Sequence, residues 1–251
     1  MFLTKDDLKL SYGVDLTIGA AFVDRAVPKD NLYWKNRTIY LPGAPGYIFM
    51  PIYADLLYRC GADLSELTSE INFQNCEGIL HSAALHEHEK ISWKEHIQQV
   101  IDFIKPRVTR QTQFEKLTEY LLQEHPVKKL NTSLGTVFPS LNRADSYLFS
   151  LTAMISPKLN VEKAIEGWYG LMTYFLLMDD LADIKDDLKT GQENALLDAG
   201  LNDAGEKIIY NMIDASILAL DSINPVMANR MDHKKSLIDI HGIIESIRLE
   251  K

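Results

Sequence analysis

The chain has 251 residues, 46% of them hydrophobic, with a net charge of −9. That is enough apolar material for the core of one large domain, and it lacks the basic patch that phosphate neutralisation demands, so nucleic acid is excluded as the expected partner. Its two cysteines, Cys60 and Cys76, sit in apolar helical patterns without a CxxC spacing and read as buried free thiols of a reducing, cytoplasmic compartment. No apolar run reaches the roughly 18 residues of a membrane span, and the first residues carry no apolar signal core.

In chain order, residues 1–47 stand apart. Gly13, Gly19, Pro28, Pro42, Gly43, Pro45 and Gly46 punctuate short apolar runs at 20–23 and 38–41. This predicts an irregular arm, or short strands, laid on a body formed by residues 48–251. From Ile48 the apolar period turns helical. Phe49, Ile52, Tyr53, Leu56 and Leu57 share a face that ends at Gly61. Asp63 is placed to cap a second helix running through Leu67, Ile71, Phe73, Ile79 and Leu80 to residues 81–89. Ile97, Val100, Ile101 and Ile104 mark a third, stopped by Pro106, and Phe114, Leu117, Leu121 and Leu122 a fourth before Pro126. Residues 145–155 read as helical up to Pro157. Asn160 then caps a helix of about 29 residues, roughly 44 Å long, that stops at Gly191. Ile208 to Leu220 forms another, Asn224-Pro225 breaks it, and a last helix carries Leu237, Ile240, Ile244 and Ile247. With no strand ladder after residue 47, the expected architecture is an all-α bundle of at least about eight helices.

The long helix organises the rest. From Gly167 to Met178 it is apolar on nearly every side, the mark of a buried helix. It then runs straight into Asp179, Asp180, Asp183, Asp186 and Asp187. On the helical period Asp179, Asp183 and Asp187 share a face, with Asp180 beside Asp183 and Asp187. Like charges at that spacing repel unless a cation lies among them, and oxygen-only ligands suit Mg2+, which completes its shell with water and phosphate. A solvated acidic helix end is the alternative. A di-iron bundle needs paired Glu-x-x-His motifs, and the one His/Glu cluster, His81, His86, Glu87, His88 and Glu89, does not supply them.

Asp179-Asp180-Leu-Ala-Asp183, after the apolar run from Tyr174, resembles the second aspartate-rich motif of the trans-prenyltransferases, the polyprenyl diphosphate synthases of the isoprenoid synthase superfamily. His81-Ser-Ala-Ala-Leu85 is similar to the run that precedes the family's first such motif, Pro51 stands near its Arg-Pro pair, and Asp145 sits where it has a Lys-Thr helix. The resemblance spans residues 48–220 loosely, and only 179–183 is specific. The first Asp-Asp-x-x-Asp and its arginine pair are missing, and Met50 replaces the arginine before Pro51.

The resemblance implies an isoprenoid-synthase-like helical bundle that binds a prenyl diphosphate through Mg2+. Asp179, Asp180 and Asp183 are then the metal ligands and catalytic residues, with Asp187 a turn further on. Lys185, Lys189 and Arg143 are placed to meet phosphate oxygens, and His81 and His88 to line the cavity. For each of these five a bland role stands beside the functional one: an i,i+4 ion pair for the lysines, a solvated loop arginine, satisfied polar histidines. Two outcomes stay open: prenyltransferase or terpene-synthase chemistry, or a catalytically weakened relative that works as a binding or regulatory partner subunit. A homodimer fits either.

Overall fold

A computed structural model of the chain describes residues 4–25, 46–123, 126–128 and 133–249. Among the described residues it contains α-helices and 3-10 turns and no strand, so the protein is all-α. The chain separates into two compact units. The first comprises residues 1–126 and 145–164, and the second residues 127–144 and 165–251.

The first unit opens with two helices where an irregular arm or strands were expected. Helix α1 is Lys5–Tyr12 and α2 is Leu16–Val23. Thr4 and Asp7 form a reciprocal capping box on α1, Gly13 closes it in the left-handed conformation, and the Asp15 side chain caps α2. The apolar run at 20–23 is therefore the end of a helix; the run at 38–41, with Pro28, Pro42, Gly43 and Pro45, lies outside the described residues. Helix α3 is Gly46–Arg59. Its Asp55 is wholly buried and accepts hydrogen bonds from the Asp15 N–H (2.8 Å) and Arg59 Nε (2.6 Å), while Arg59 also donates to the Gly13 carbonyl (2.6 Å). One carboxylate thus ties the α1–α2 turn to α3.

The second expected helix is two helices, α4 (Leu64–Leu67) and α5 (Glu70–Glu87). Thr68 and Ser69 break it: the Thr68 hydroxyl bonds back to the Leu64 carbonyl, and Ser69 caps α5 by accepting from the Asn72 N–H. Asp63 makes no side-chain cap. Helix α6 is Trp93–Ile104, extended by a 3-10 turn at Lys105–Arg107, and α7 is Gln111–Leu121. The segment expected to be helical from Asp145 is a 3-10 turn, Asp145–Leu148, followed by the short α8, Phe149–Thr152. Ser150 and Thr152 hydroxyls donate to carbonyls three residues back, which competes with helix continuation. Tyr147, Tyr53, Phe149, Ile79, Ile97 and Ile104 form the core, with Tyr147 edge-on to Tyr53.

Helix α9, Val161–Thr190, is the long helix, with Asn160 accepting from the Lys163 N–H at its start and Gly191 left-handed after its end. From Ile165 it belongs to the second unit. There follow α10 (Ala195–Ala199), which the apolar period did not indicate, α11 (Asp203–Asp221), α12 (Pro225–Lys235) and α13 (Ile240–Leu249). Ile240, Ile244 and Ile247 of the last expected helix lie on α13, and α12 is a further helix that the apolar period did not indicate. Asn224 does not merely break α11; it caps α12 with Pro225 in the first turn. Leu237 falls between α12 and α13 and is exposed. Trp168, Leu171 and Leu177 of α9 are buried with Ile209, Ile213, Met231 and Ile240. The Tyr174 hydroxyl donates to the Met231 carbonyl. No helix among the described residues is long and apolar enough to cross a membrane.

Candidate functional site

The acidic end of α9 lies wholly within the second unit, and its five aspartates divide between interior and surface, Asp186 lying on the surface. Asp180 and Asp187 are buried, Asp179 and Asp183 exposed. Adjacent residues on a helix point about 100° apart, which parts Asp180 from Asp179; Asp187 shares the face of Asp179 and Asp183 and is buried where Asn194 reaches it.

Asp180 is fully engaged. Arg143 Nη2 donates to its Oδ1 (2.7 Å) and the Ala195 N–H donates to its Oδ2 (2.7 Å). Asp187 accepts from Asn194 Nδ2 (2.8 Å), which also donates to the Asp180 backbone carbonyl (2.7 Å). Asn194 Oδ1 in turn accepts from the Leu196 N–H, capping α10. Gly191 turns the chain, and Asn194 then lays it back along α9. Arg143 comes from the loop after the 3-10 turn Pro139–Asn142. Its Nη1 donates to the Ser140 carbonyl (2.7 Å), and Ser140 Oγ donates to Asp198 Oδ2 (2.7 Å). The same loop is braced by Asn142 Oδ1, which accepts from the Thr136 N–H, and by the Tyr169 hydroxyl of α9, which accepts from the Gly135 N–H.

Asp179 lies 3.6 Å from Arg143 Nη2 and otherwise faces outward. Partial burial raises its carboxyl above the ordinary range; Arg143 opposes the rise, and Asp183 and Asp187 add to it. Burial likewise raises Asp180 against the pull of Arg143 and the Ala195 N–H.

The other expected site residues fall as follows. Arg143 is half-buried at the aspartates, paired with Asp180 and 3.6 Å from Asp179, and is not a solvated loop arginine. Lys189 pairs with exposed Asp186 (3.1 Å), the bland arrangement for such a lysine. Lys185 is exposed. His81 on α5 and His88, the exposed residue that ends α5, belong to the first unit. Among the described residues, no three His, Cys, Asp or Glu side chains come together as a metal site. Asn194, Ser140 and Asp198 were not expected at the site. An Asn just before Ala195-Leu-Leu is a helix-cap signal, and it was the readable clue.

No protein-family model matches the chain, and no curated protein or solved structure matches it.

Proposed function

We propose that the second unit binds the diphosphate group of a prenyl diphosphate together with Mg2+, at Asp179, Asp183 and Arg143. One observation carries this reading: a guanidinium stands 2.7 Å from Asp180 and 3.6 Å from Asp179, at the point where the apolar stretch of α9 ends and presents two open carboxylates one turn apart. Mg2+ is usually held by one or two carboxylates and completed by water and phosphate, so Asp179 and Asp183 are a sufficient protein donor set. Asp180 and Asp187 already accept from Arg143, Ala195 and Asn194, and in this reading they hold the scaffold.

When bound, the ion supplies charge neutralisation for a departing diphosphate. The protein's own part is positional. Arg143 offers donors fixed by Ser140, and Asp179 and Asp183 orient their oxygens from a rigid helix. A prenyltransferase or terpene-synthase activity would draw on this group of residues.

The engagement of Asp180 by Arg143 favours a second reading, the weakened relative that binds without turnover. Elongation requires a second diphosphate in a basic pocket, and the arginine pair the family uses there is missing from the sequence. The test is thermal stability with Mg2+ and pyrophosphate. A ligand that binds only the native state raises the melting temperature by mass action, and Asp179→Asn with Asp183→Asn should remove the rise. An undiminished rise in the double variant rejects the site. Labelled geranyl and farnesyl diphosphates, with and without isopentenyl diphosphate, then separate enzyme from binder. Elongation at about 1 per second or faster would restore a full synthase.

A further inference from the structure

The turn between α5 and α6, in the first unit, holds three aromatic rings in mutual contact. His86 and His96 stack with planes 1° apart and centroids 5.9 Å apart, and Trp93 meets both edge-on at 5.6 and 5.5 Å. His96 is 1% exposed. Its Nδ1 is 2.9 Å from Ser82 Oγ, and Ser82 Oγ is 3.1 Å from Gln99 Oε1. Gln99 Oε1 and the His96 carbonyl oxygen, 3.3 Å from Ser82 Oγ, only accept, so the one Ser82 hydroxyl proton goes to one of them and Ser82 Oγ accepts from His96 Nδ1–H. His96 Nε2 is then a buried lone pair, and no hydrogen-bond partner reaches it.

A proton arriving at Nε2 would create a buried cation with no acceptor, stacked on a second imidazole. Burial, with the His86 charge as a lesser cause, pushes the His96 ring down to about 4. The groups around it offer no relief. Among the elements packed on α6, α5 presents His86, α8 has no ionisable residue, and the 3-10 turn after α6 carries Lys105 and Arg107 at its far end. Glu89, Lys90 and Glu95 line an open cleft of about 310 Å³ with His86, Ile91 and Ser92. Glu95 is held in the Ser92 capping box, and His86 Nδ1 is committed to the Ile91 carbonyl.

We propose that this turn is an acid-opened element: proton uptake at His96 Nε2 releases the first turn of α6 and admits water through the cleft. The turn is suited to open locally. Residues 87–90 are exposed, Glu89 has a φ of 55° outside the ordinary range for a side-chain-bearing residue, and Trp93 Nε1, donating to the Leu121 carbonyl, ties the α6 start to the end of α7.

Hydrogen exchange of amides 88–97 in the full chain tests it. After correction for intrinsic rates, opening should rise about tenfold between pH 7.5 and 5.5, because the open form binds the proton that the closed form refuses. Amides of α3 should not follow. His96→Phe keeps the ring and removes the proton site, so its opening should be independent of pH. A flat profile in the wild type, or the same tenfold rise in His96→Phe, overturns the proposal. Should His96→Phe fail to fold, the wild-type His96 ring decides by nuclear magnetic resonance. Closed-state ring signals that stay neutral down to about pH 5 support it, and a ring that titrates near 6.5 with the turn still closed overturns it.

Discussion

Arg143 Nη2 donates to Asp180 Oδ1 across 37 residues of sequence, and that ion pair makes the most acidic segment of the chain a structural joint. The loop at 139–143, the acidic helix and the start of α10 all meet at one buried carboxylate.

Asp180→Asn should therefore destabilise the protein, by roughly 1–3 kcal/mol, since it takes the short charge-assisted bond from Arg143, leaving that guanidinium only the longer contact to Asp179, and replaces one of two buried acceptor oxygens with an amide. Repulsion among the aspartates, taken from spacing alone, gives the opposite sign. Asp183→Asn, at an exposed position, should change stability by no more than about 0.5 kcal/mol. Urea unfolding of both variants measures the difference, and equal values would show that Asp180 is not the joint.

The contrast shows where sequence reading stopped. The all-α class, the long helix, its cap at Asn160 and its stop at Gly191 were legible because periodicity and capping are local signals. The breaks at Thr68-Ser69 and within residues 145–152 were not, since hydroxyls that bond back to carbonyls look like any polar residue in a helical pattern. Residues 5–23 were misread because glycines at 13 and 19 suggest turns, yet Gly13 is a helix terminator and Gly19 lies inside α2. At the site, the sequence located the carboxylates and Arg143. It could not say which aspartates face inward, because that depends on α10 folding back to offer the Ala195 N–H.

Cys76 is buried beside Glu77 in α5, and its thiol is pushed up to about 12, chiefly by burial. Reactivity follows the thiolate. Iodoacetamide at pH 8 should leave Cys76 unmodified in the native protein and modify it fully in urea. Rapid native labelling, read by mass spectrometry, would contradict the burial. Cys60 is also buried and should behave alike.

Gly61 and Gly191 both end helices with positive φ, at 99° and 73°, yet they should tolerate substitution differently. A Cβ on Gly61 would lie 2.4 Å from the Lys158 carbonyl oxygen, a backbone atom that cannot turn aside. Gly61→Ala adds this overlap to the left-handed strain and should cost about 3 kcal/mol or more. A Cβ on Gly191 meets nothing within 4 Å, so Gly191→Ala should cost only about 1 kcal/mol, and Gly191→Asn less. Equal losses on thermal unfolding would contradict the packing at Gly61.

Gly170 tests the seating of the acidic helix itself. A Cβ there would lie 3.0 Å from the Ala219 Cβ, 3.2 Å from the Ser216 carbonyl oxygen and 3.3 Å from Leu220 Cγ, so α9 and α11 approach closely at this point. Alanine is favoured over glycine in a helix by about 1 kcal/mol, and that gain offsets part of the crowding in Gly170→Ala. Gly170→Leu has no such balance. Its added carbons have to push α11 away, and overpacking of this kind costs typically 1–3 kcal/mol beyond any propensity gain. The expected order of stability is wild type at or slightly above Gly170→Ala, with Gly170→Leu clearly lowest. Asp179 and Asp183 lie more than two turns further along α9, so Gly170→Ala should keep the Mg2+ and pyrophosphate response of the wild type. Gly170→Leu as stable as the wild type would show that α9 and α11 do not pack at this glycine.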